Sequence, residues 1–286
     1  MLHRSGTILL LTALACLLPA LALAGTLDQI KKSGEIRIGY RTDAPPLAFN
    51  DASGQAVGYS VDLCKRIATA VKDELKLADL KVTFVPLTSA DRLEAVAKNK
   101  VDIECGATTV TLAREEKVDF TLMTFVTGGS LLSLGESNVN ALSDAAGKSI
   151  AVVTGTTSEA ALRKALTKNL IDAKLVAVAS REEAMKQLDA KQVIAFASDQ
   201  VVLIGQIIQS TDPKKYSLSR ELFSYEPYAF VVRRDDSDFR LVANRALAQI
   251  YRTGQIEQLY NRWFGRVGIK PSPVLTAMYA LQSLPE

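Results

Sequence analysis

The chain has 286 residues, with 34 Lys and Arg against 31 Asp and Glu, and a single histidine. So even a balance argues against a nucleic-acid surface, which needs a cluster of unopposed basic charge. The histidine is His3, so everything after the opening segment has none to offer a His-based triad or a His-ligated zinc site.

In chain order, His3 and Arg4 precede an apolar run from Ile8 to Leu18 and then the small-residue triplet Ala22-Leu23-Ala24. This is the pattern of a secretory signal peptide over residues 1–24, with cleavage expected after Ala24. The run falls short of the roughly 20 apolar residues that span a bilayer. Cys16 sits in a poor setting for a lipid anchor, because the residue three places before it is Ala13 and the chain stays apolar beyond it. Removing the signal takes away Arg4 and no acid, which leaves 33 basic and 31 acidic side chains on 262 residues. A chain of that length favours two domains, or lobes, over one. Cys64 and Cys105 remain. Cys64 shares a helical face with Val61, Ile67, Ala68 and Val71, and Cys105 ends an apolar strand. Two buried thiols and, in an oxidising compartment, a disulfide both fit.

Short β-type runs alternate with helix-length segments: Glu35–Tyr40, Lys81–Val85, Val101–Cys105, Ser149–Val153, Lys174–Val178, Val193–Ala197 and Ala229–Arg233. The alternation implies βαβ units, an α/β fold and mostly parallel sheets. Helices are expected over Asp238–Thr253 and Gln255–Phe264, with Gly254 as the stop between them. Trp263 and Phe264 then read as core anchors.

In open α/β sheets ligands sit beyond the carboxyl ends of the strands, so the chemistry is sought at strand-to-helix turns. Arg41 follows the first strand, Ser89 and Arg92 follow the second, and Arg181 follows Lys174–Val178. The segment Gly106-Ala107-Thr108-Thr109-Val110-Thr111-Leu112-Ala113-Arg114 places hydroxyls at two-residue spacing with an arginine one turn later. A guanidinium fork matches a carboxylate, since it donates two parallel hydrogen bonds. Spacing alone leaves open a surface ion pair of Arg114 with Glu115 or Asp119. After Ser149–Val153, Thr156 and Glu159 form a capping-box pattern behind Gly155, at a helix start that is either simply capped or an anion site. Asp199, at the end of Val193–Ala197, either caps the helix beginning at Gln200 or receives a ligand ammonium.

Gly58-Tyr59-Ser60-Val61-Asp62-Leu63, in an otherwise helical stretch, resembles the signature of the polar amino-acid-binding proteins of ABC importers. The Thr-x-Thr-x-x-Arg stretch of Thr109, Thr111 and Arg114 matches as well, followed by Val118-Asp119-Phe120-Thr121 and Gly155-Thr156-Thr157. So do Phe196-Ala197-Ser198-Asp199 and Arg262-Trp263-Phe264-Gly265, all in the family's order and across nearly the whole mature chain. Within that family the chain most resembles the glutamate/aspartate-binding proteins. The resemblance implies that the ligand's α-carboxylate is held by Arg114, Thr109 and the Thr157 backbone, and its α-ammonium by Asp199. It places Arg41, Ser89 and Arg92 on the side-chain carboxylate. Arg181 stands where the family pattern has a histidine and Ala107 where it has a serine. Arg181 would either add a third cation at that end or face solvent.

The fold implied is the two-lobed periplasmic binding protein fold of type II. Two crossings are expected near Phe125–Gly129 and Tyr225–Tyr228. They divide the chain into lobe 1, residues 25–126 plus 229–286, and lobe 2, residues 127–228. The function implied is that of a monomeric, non-enzymatic periplasmic protein that delivers an amino acid to an ABC transporter membrane permease, without cofactor or metal. A pocket holding Arg41, Arg92 and Arg114 against Asp199 has surplus positive charge, which a dicarboxylate would neutralise and which ranks glutamine or asparagine second. The rival of another class is a periplasmic dehydratase acting on prephenate-like acids. It needs a general acid, for which Glu104 is the remaining candidate.

Overall fold

The computed structural model describes residues 25–265 and 268–286. The signal peptide expected over residues 1–24 lies outside them. The chain opens with α1 (Thr26–Ser33), β1 (Glu35–Tyr40), a small antiparallel sheet of β2 (Asp43–Ala44), β3 (Ala48–Asn50) and β4 (Ala56–Val57), and α2 (Tyr59–Glu74). There follow β5 (Lys81–Pro86), α3 (Arg92–Ala97), β6 (Ile103–Glu104), α4 (Leu112–Glu115) and the long β7 (Val118–Thr127). Then come β8 (Gly129–Leu134), β9 (Ser149–Val153), α5 (Thr157–Lys168), β10 (Lys174–Val178), α6 (Arg181–Asp189), β11 (Ala195–Asp199), α7 (Gln200–Gln209) and β12 (Tyr216–Leu218). The chain closes with β13 (Glu226–Arg233), α8 (Ser237–Arg252), α9 (Gln255–Trp263) and α10 (Pro273–Leu281).

The strands build two five-stranded sheets, ordered β5-β1-β6-β13-β7 and β10-β9-β11-β8-β12. In each, the strands joined by helices are parallel: β5, β1 and β6 in the first, and β10, β9 and β11 in the second. Such a connection returns a strand in the same direction, as βαβ patterning requires. The antiparallel members, β13 and β7 in one sheet and β8 and β12 in the other, come from the segments that pass between the sheets. β7 ends at Thr127 and β8 starts at Gly129, so one residue separates a strand of the first sheet from a strand of the second. The return crossing runs beside it, with Glu226 paired to Thr127.

The first sheet is sealed by α2, α8, α9 and α10. The apolar face of α2, Tyr59, Leu63, Cys64, Ile67 and Val71, is wholly buried there. Phe264 stacks on Tyr260 at 4.5 Å and on Phe125 at 5.3 Å, so of the two expected anchors Phe264 fixes the core beside the first crossing. Trp263 is only partly buried and donates from Nε1 to Asp62 at 2.9 Å. Helix α10, absent from the sequence expectations, starts with Pro273 behind the N-cap Ser272, whose hydroxyl accepts from the Leu275 N–H. It brings the Tyr279 hydroxyl within 2.7 Å of the Tyr59 hydroxyl, and Gln282 just past its end accepts from the Met123 N–H of β7 at 2.6 Å.

Cys64 on α2 and Cys105 just past β6 form a disulfide, which settles the alternatives that the sequence left open. It closes a segment of 41 residues, and in the chain-entropy treatment a loop of that length is worth about 4 kcal/mol. Replacing both cysteines with alanine should therefore lower the unfolding free energy in urea by about that amount. A loss under about 1 kcal/mol would assign the stability of this lobe to packing alone.

Candidate functional site

The candidate ligand residues lie where the carboxyl ends of the two sheets face each other, with Ser89 bonded to Thr154, Thr109 beside Thr157, and Arg181 paired with Asp43. Arg41 follows β1, and Arg92 begins α3 behind β5. Both are 3% exposed, and Arg181, the first residue of α6, is 2% exposed, so none of the three faces solvent as most arginines do. Their burial carries an electrostatic cost. Burial and the neighbouring Arg181 charge push the Arg41 guanidinium down to about 9, against the pull of Asp43. Burial also holds Arg92 below its ordinary value, opposed by Glu104. Arg114, a half-buried residue of α4, is lowered to about 10 by burial and by Arg92.

Arg114 makes neither of the surface ion pairs that spacing left open. Its Nη1 donates to the Thr109 carbonyl at 2.6 Å, while Asp119 pairs with Arg240 at 3.1 Å. Thr109 and Thr111 also part company. Thr111 is the N-cap of α4 and accepts from the Arg114 N–H. Thr109 turns into the cleft, where its hydroxyl and that of Thr157 both donate to Glu226 Oε2 at 2.6 Å. That shared acceptor holds the two hydroxyl oxygens 3.1 Å apart, one from each sheet's side of the cleft.

At the start of α5, Thr156 caps as expected, accepting from the Glu159 N–H, while the Glu159 carboxylate returns to the Gly155 N–H at 3.2 Å. Gly155 takes the left-handed conformation at φ 71°, which a side chain there would resist. The first N–H groups of a helix have no acceptor within it, so Thr157 presents a donor at the positive end of α5. Asp199 does not cap α7. Its carboxylate accepts from the Ser158 hydroxyl at 2.7 Å and from the Tyr228 hydroxyl, which sets it facing the cleft. Ser89 is buried, and its hydroxyl donates across the cleft to the Thr154 carbonyl at 3.0 Å.

Three carboxyl groups join Asp199 here, so the count of three arginines against one acid does not hold. Asp43 Oδ1 accepts from Arg41 Nη2 and from Arg181 Nη1, both at 2.8 Å. Glu104 is fully buried beneath Arg41. Gly106 makes room for it, since a Cβ there would lie 2.2 Å from Glu104 Oε1 and 3.1 Å from Arg41 Cγ. Burial raises the Glu104 carboxyl above its ordinary value despite Arg92 and the Thr108 hydroxyl. Burial and the nearby Asp199 raise Glu226, against its three hydroxyl donors. Burial works to raise Asp43 too, but Arg181 and Arg41 outweigh it and hold it below its ordinary value. Among the described residues, Arg41 Nε and Nη1, Arg92 Nε and Arg181 Nε are buried without a hydrogen-bond partner. At Ala107, where a serine was expected, the carbonyl takes the Arg92 Nη1 donor at 3.1 Å. No group of three or more potential metal ligands occurs among the described residues.

Residues 36–266 match the family described as bacterial extracellular solute-binding proteins, family 3. An L-glutamate/L-aspartate-binding protein of Pseudomonas aeruginosa is 33% identical over 243 residues, which is 85% of this chain and 80% of that protein. Among solved structures, a solute receptor for L-cysteine of Neisseria gonorrhoeae superposes with a TM-score of 0.76 at 25% identity, covering 88% of this chain and 98% of its own. The ancestral amino acid-binding protein AncCDT-1, a precursor of cyclohexadienyl dehydratase, gives 0.72 at 28% identity, over 84% of this chain and 100% of its own.

Glu226 yields a prediction about pH. Its carboxyl is raised in the fold above the ordinary 4.5, so the stability linked to its protonated form is fully present below that pH and is lost as pH rises through the folded value. Glu226→Gln keeps the acceptor for Thr109 and Thr157 but does not titrate. In urea unfolding between pH 4 and 8, the variant's stability relative to wild type should rise with pH and then level off. A difference that stays flat would mean that Glu226 titrates alike in the folded and unfolded chains.

Proposed function

The chain belongs to the bacterial extracellular solute-binding proteins, family 3, as the solute-binding component of an amino-acid ABC transporter, and from that premise we propose that its ligand is glutamate or aspartate. The observation that carries this reading is the set of buried guanidinium N–H groups on Arg41, Arg92 and Arg181 that no protein group accepts. An unsatisfied buried donor costs about 1–3 kcal/mol, more when charged, so these donors favour a ligand that returns the bonds and the charge together. Charge supports the same ligand. Of the four carboxyls, Glu104 and Glu226 are raised above their ordinary values, so their compensation of the four guanidiniums is weakened and the balance leans towards surplus positive charge. A dicarboxylic amino acid offsets part of that surplus, whereas its amide offsets none.

In this reading the α-carboxylate lies on Arg114, Thr109 and the Thr157 N–H, and the α-ammonium on Asp199, whose carboxylate is aimed by the Ser158 and Tyr228 hydroxyls. The side-chain carboxylate lies on Arg41 and Arg92, with Ser89 and Arg181 at its border. The lobes are residues 25–126 with 229–286, and residues 127–228, and they close over the ligand about the paired crossings. Export by the signal over residues 1–24 places the monomer in the periplasm, where it hands its ligand to the membrane permease. The dehydratase reading draws on the unpartnered Oε1 of Glu104 and its raised carboxyl. That acid already holds the Thr108 hydroxyl and offsets Arg92, so binding without chemistry is the simpler role.

Titration calorimetry with glutamate, aspartate, glutamine and asparagine tests the assignment, and acidic ligands should bind more tightly than their amides. Arg114→Ala should weaken all four by about 3 kcal/mol or more, because the α-carboxylate is common to them. Arg92→Met should weaken glutamate far more than glutamine. A wild type that prefers the amides would leave only the general amino-acid reading. Turnover of prephenate to an aromatic product would replace it with the enzyme.

A further inference from the structure

Asp43 belongs to no motif and was not among the candidate ligand residues, yet its carboxylate bridges two of the buried arginines in the cleft. It lies on β2, two residues after Arg41, and is held from both sheets. Arg41 Nη2 reaches Oδ1 at 2.8 Å and Oδ2 at 3.1 Å from its own side, and Arg181 Nη1 reaches Oδ1 at 2.8 Å from the other. Its main chain is pinned as well, since Gln206 Nε2 donates to the Asp43 carbonyl at 3.1 Å. Helix α7 comes close enough to do this because residue 205 is glycine: a Cβ there would lie 1.9 Å from the Pro45 carbonyl oxygen.

The geometry of the two guanidiniums matters more than the attachment. Asp43 takes Nη2 of Arg41 and Nη1 of Arg181, and it leaves Arg41 Nε and Nη1 and Arg181 Nε buried without partners. Each arginine is thus gripped at one edge and bare at the other. Asp43 also returns one negative charge to an end of the cleft where Arg41, Arg92 and Arg181 would otherwise supply three positive ones. Both the bare N–H groups and that net charge act on whatever part of a ligand enters there. A carboxylate accepts from those edges through both oxygens, whereas a carboxamide accepts through one and presents an NH2 donor, so the net charge left at this end adds to a preference for the acid that the bare N–H groups already create.

We propose that Asp43 is a specificity-determining residue, a built-in counter-ion that sets how strongly this end of the cleft favours a carboxylate over a carboxamide. The proposal rests on the reading that the arginine end of the cleft receives the ligand's side chain. In that role Asp43 and Arg181 act in opposite directions on selectivity, although they are partners in one ion pair. Removing the anion enlarges the charge surplus and deepens the preference for a carboxylate. Removing the cation shrinks it. A purely structural clip between the lobes would behave otherwise, because breaking it from either side would weaken acid and amide ligands alike.

The test is titration calorimetry of glutamate and glutamine with the wild type, Asp43→Asn, Asp43→Ser and Arg181→Gln, each checked for folding by circular dichroism and thermal unfolding. The quantity read is the dissociation constant for glutamine divided by that for glutamate. One buried unit charge at this range should move it about tenfold, upward in both Asp43 variants and downward in Arg181→Gln. Should one Asp43 variant fail to fold, the other together with Arg181→Gln still gives both directions. A ratio within about twofold of wild type in the Asp43 variants and in Arg181→Gln, or a shift of the same sign on both sides of the pair, overturns the proposal. A wild type that binds glutamine better than glutamate ends the acidic-ligand reading, while the opposite shifts among the variants still decide the role of Asp43. A wild type that binds neither overturns both.

Discussion

Four guanidiniums brought into one water-poor cleft are the constraint around which the rest of this molecule is arranged. Burying such charge is unfavourable unless opposite charge and hydrogen bonds come with it. The fold supplies part of that compensation. Asp43 lies between Arg41 and Arg181, Glu104 lies beneath Arg41, and the carbonyls of Ala107 and Thr109 each take one N–H, from Arg92 and Arg114. The compensation stops short of completion at Arg41, Arg92 and Arg181. Stability is lost by leaving it incomplete, and under the proposed function binding recovers it: a ligand bearing two carboxylates would restore the missing acceptors and the missing charge in one step. Affinity and selectivity then have a common source.

The scaffold keeps those groups in register. Arg41, Arg92 and Asp199 leave the ends of strands in sheets whose cores are closed by aromatic stacking on one side and aliphatic packing on the other. The disulfide ties α2 to the end of β6, directly before the turn that carries Ala107, Thr109 and Arg114. Glu226 stands at the second crossing and gathers hydroxyls from Thr109, Thr157 and Ser224. Thr109 and Thr157 come from opposite sides of the cleft. One carboxyl at the second crossing therefore joins the two sides, and it sits close enough to Asp199 for their charges to interact.

How much of this was legible in the sequence follows from the range of the interactions involved. Strands β1, β9 and β10 have the very bounds that their apolar runs suggested, because each pairs within one sheet and is bounded by a turn. Strands β7 and β8 were missed. They meet across Gly128, and together they serve two sheets, so no single period runs through them. The small β2-β3-β4 sheet has strands too short to carry a pattern. In the cleft, the arginines and hydroxyls stood out because each follows a strand. Their counter-ions did not: Asp43 reads as a turn residue, and Glu226 falls inside the expected crossing Tyr225–Tyr228. Asp43 finds Arg181 across 138 residues and Glu226 finds Thr109 across 117, separations that no local spacing can encode. The same long range explains why Asp199 could not be separated from a helix cap, and Arg114 from a surface ion pair, until Ser158, Tyr228 and the Thr109 carbonyl were in place.

Under the proposed function the bare guanidinium edges in the cleft are completed by a ligand's two carboxylates. A crystal structure of the mature protein grown with glutamate tests it most directly. The α-carboxylate should lie on Arg114 and the Thr157 N–H, the ammonium on Asp199, and the distal carboxylate on Arg41 and Arg92, with Asp43 still bridging Arg41 and Arg181. Glutamate bound with its distal carboxylate away from Arg41 and Arg92, or those arginines turned onto protein acceptors with the ligand elsewhere, would contradict it.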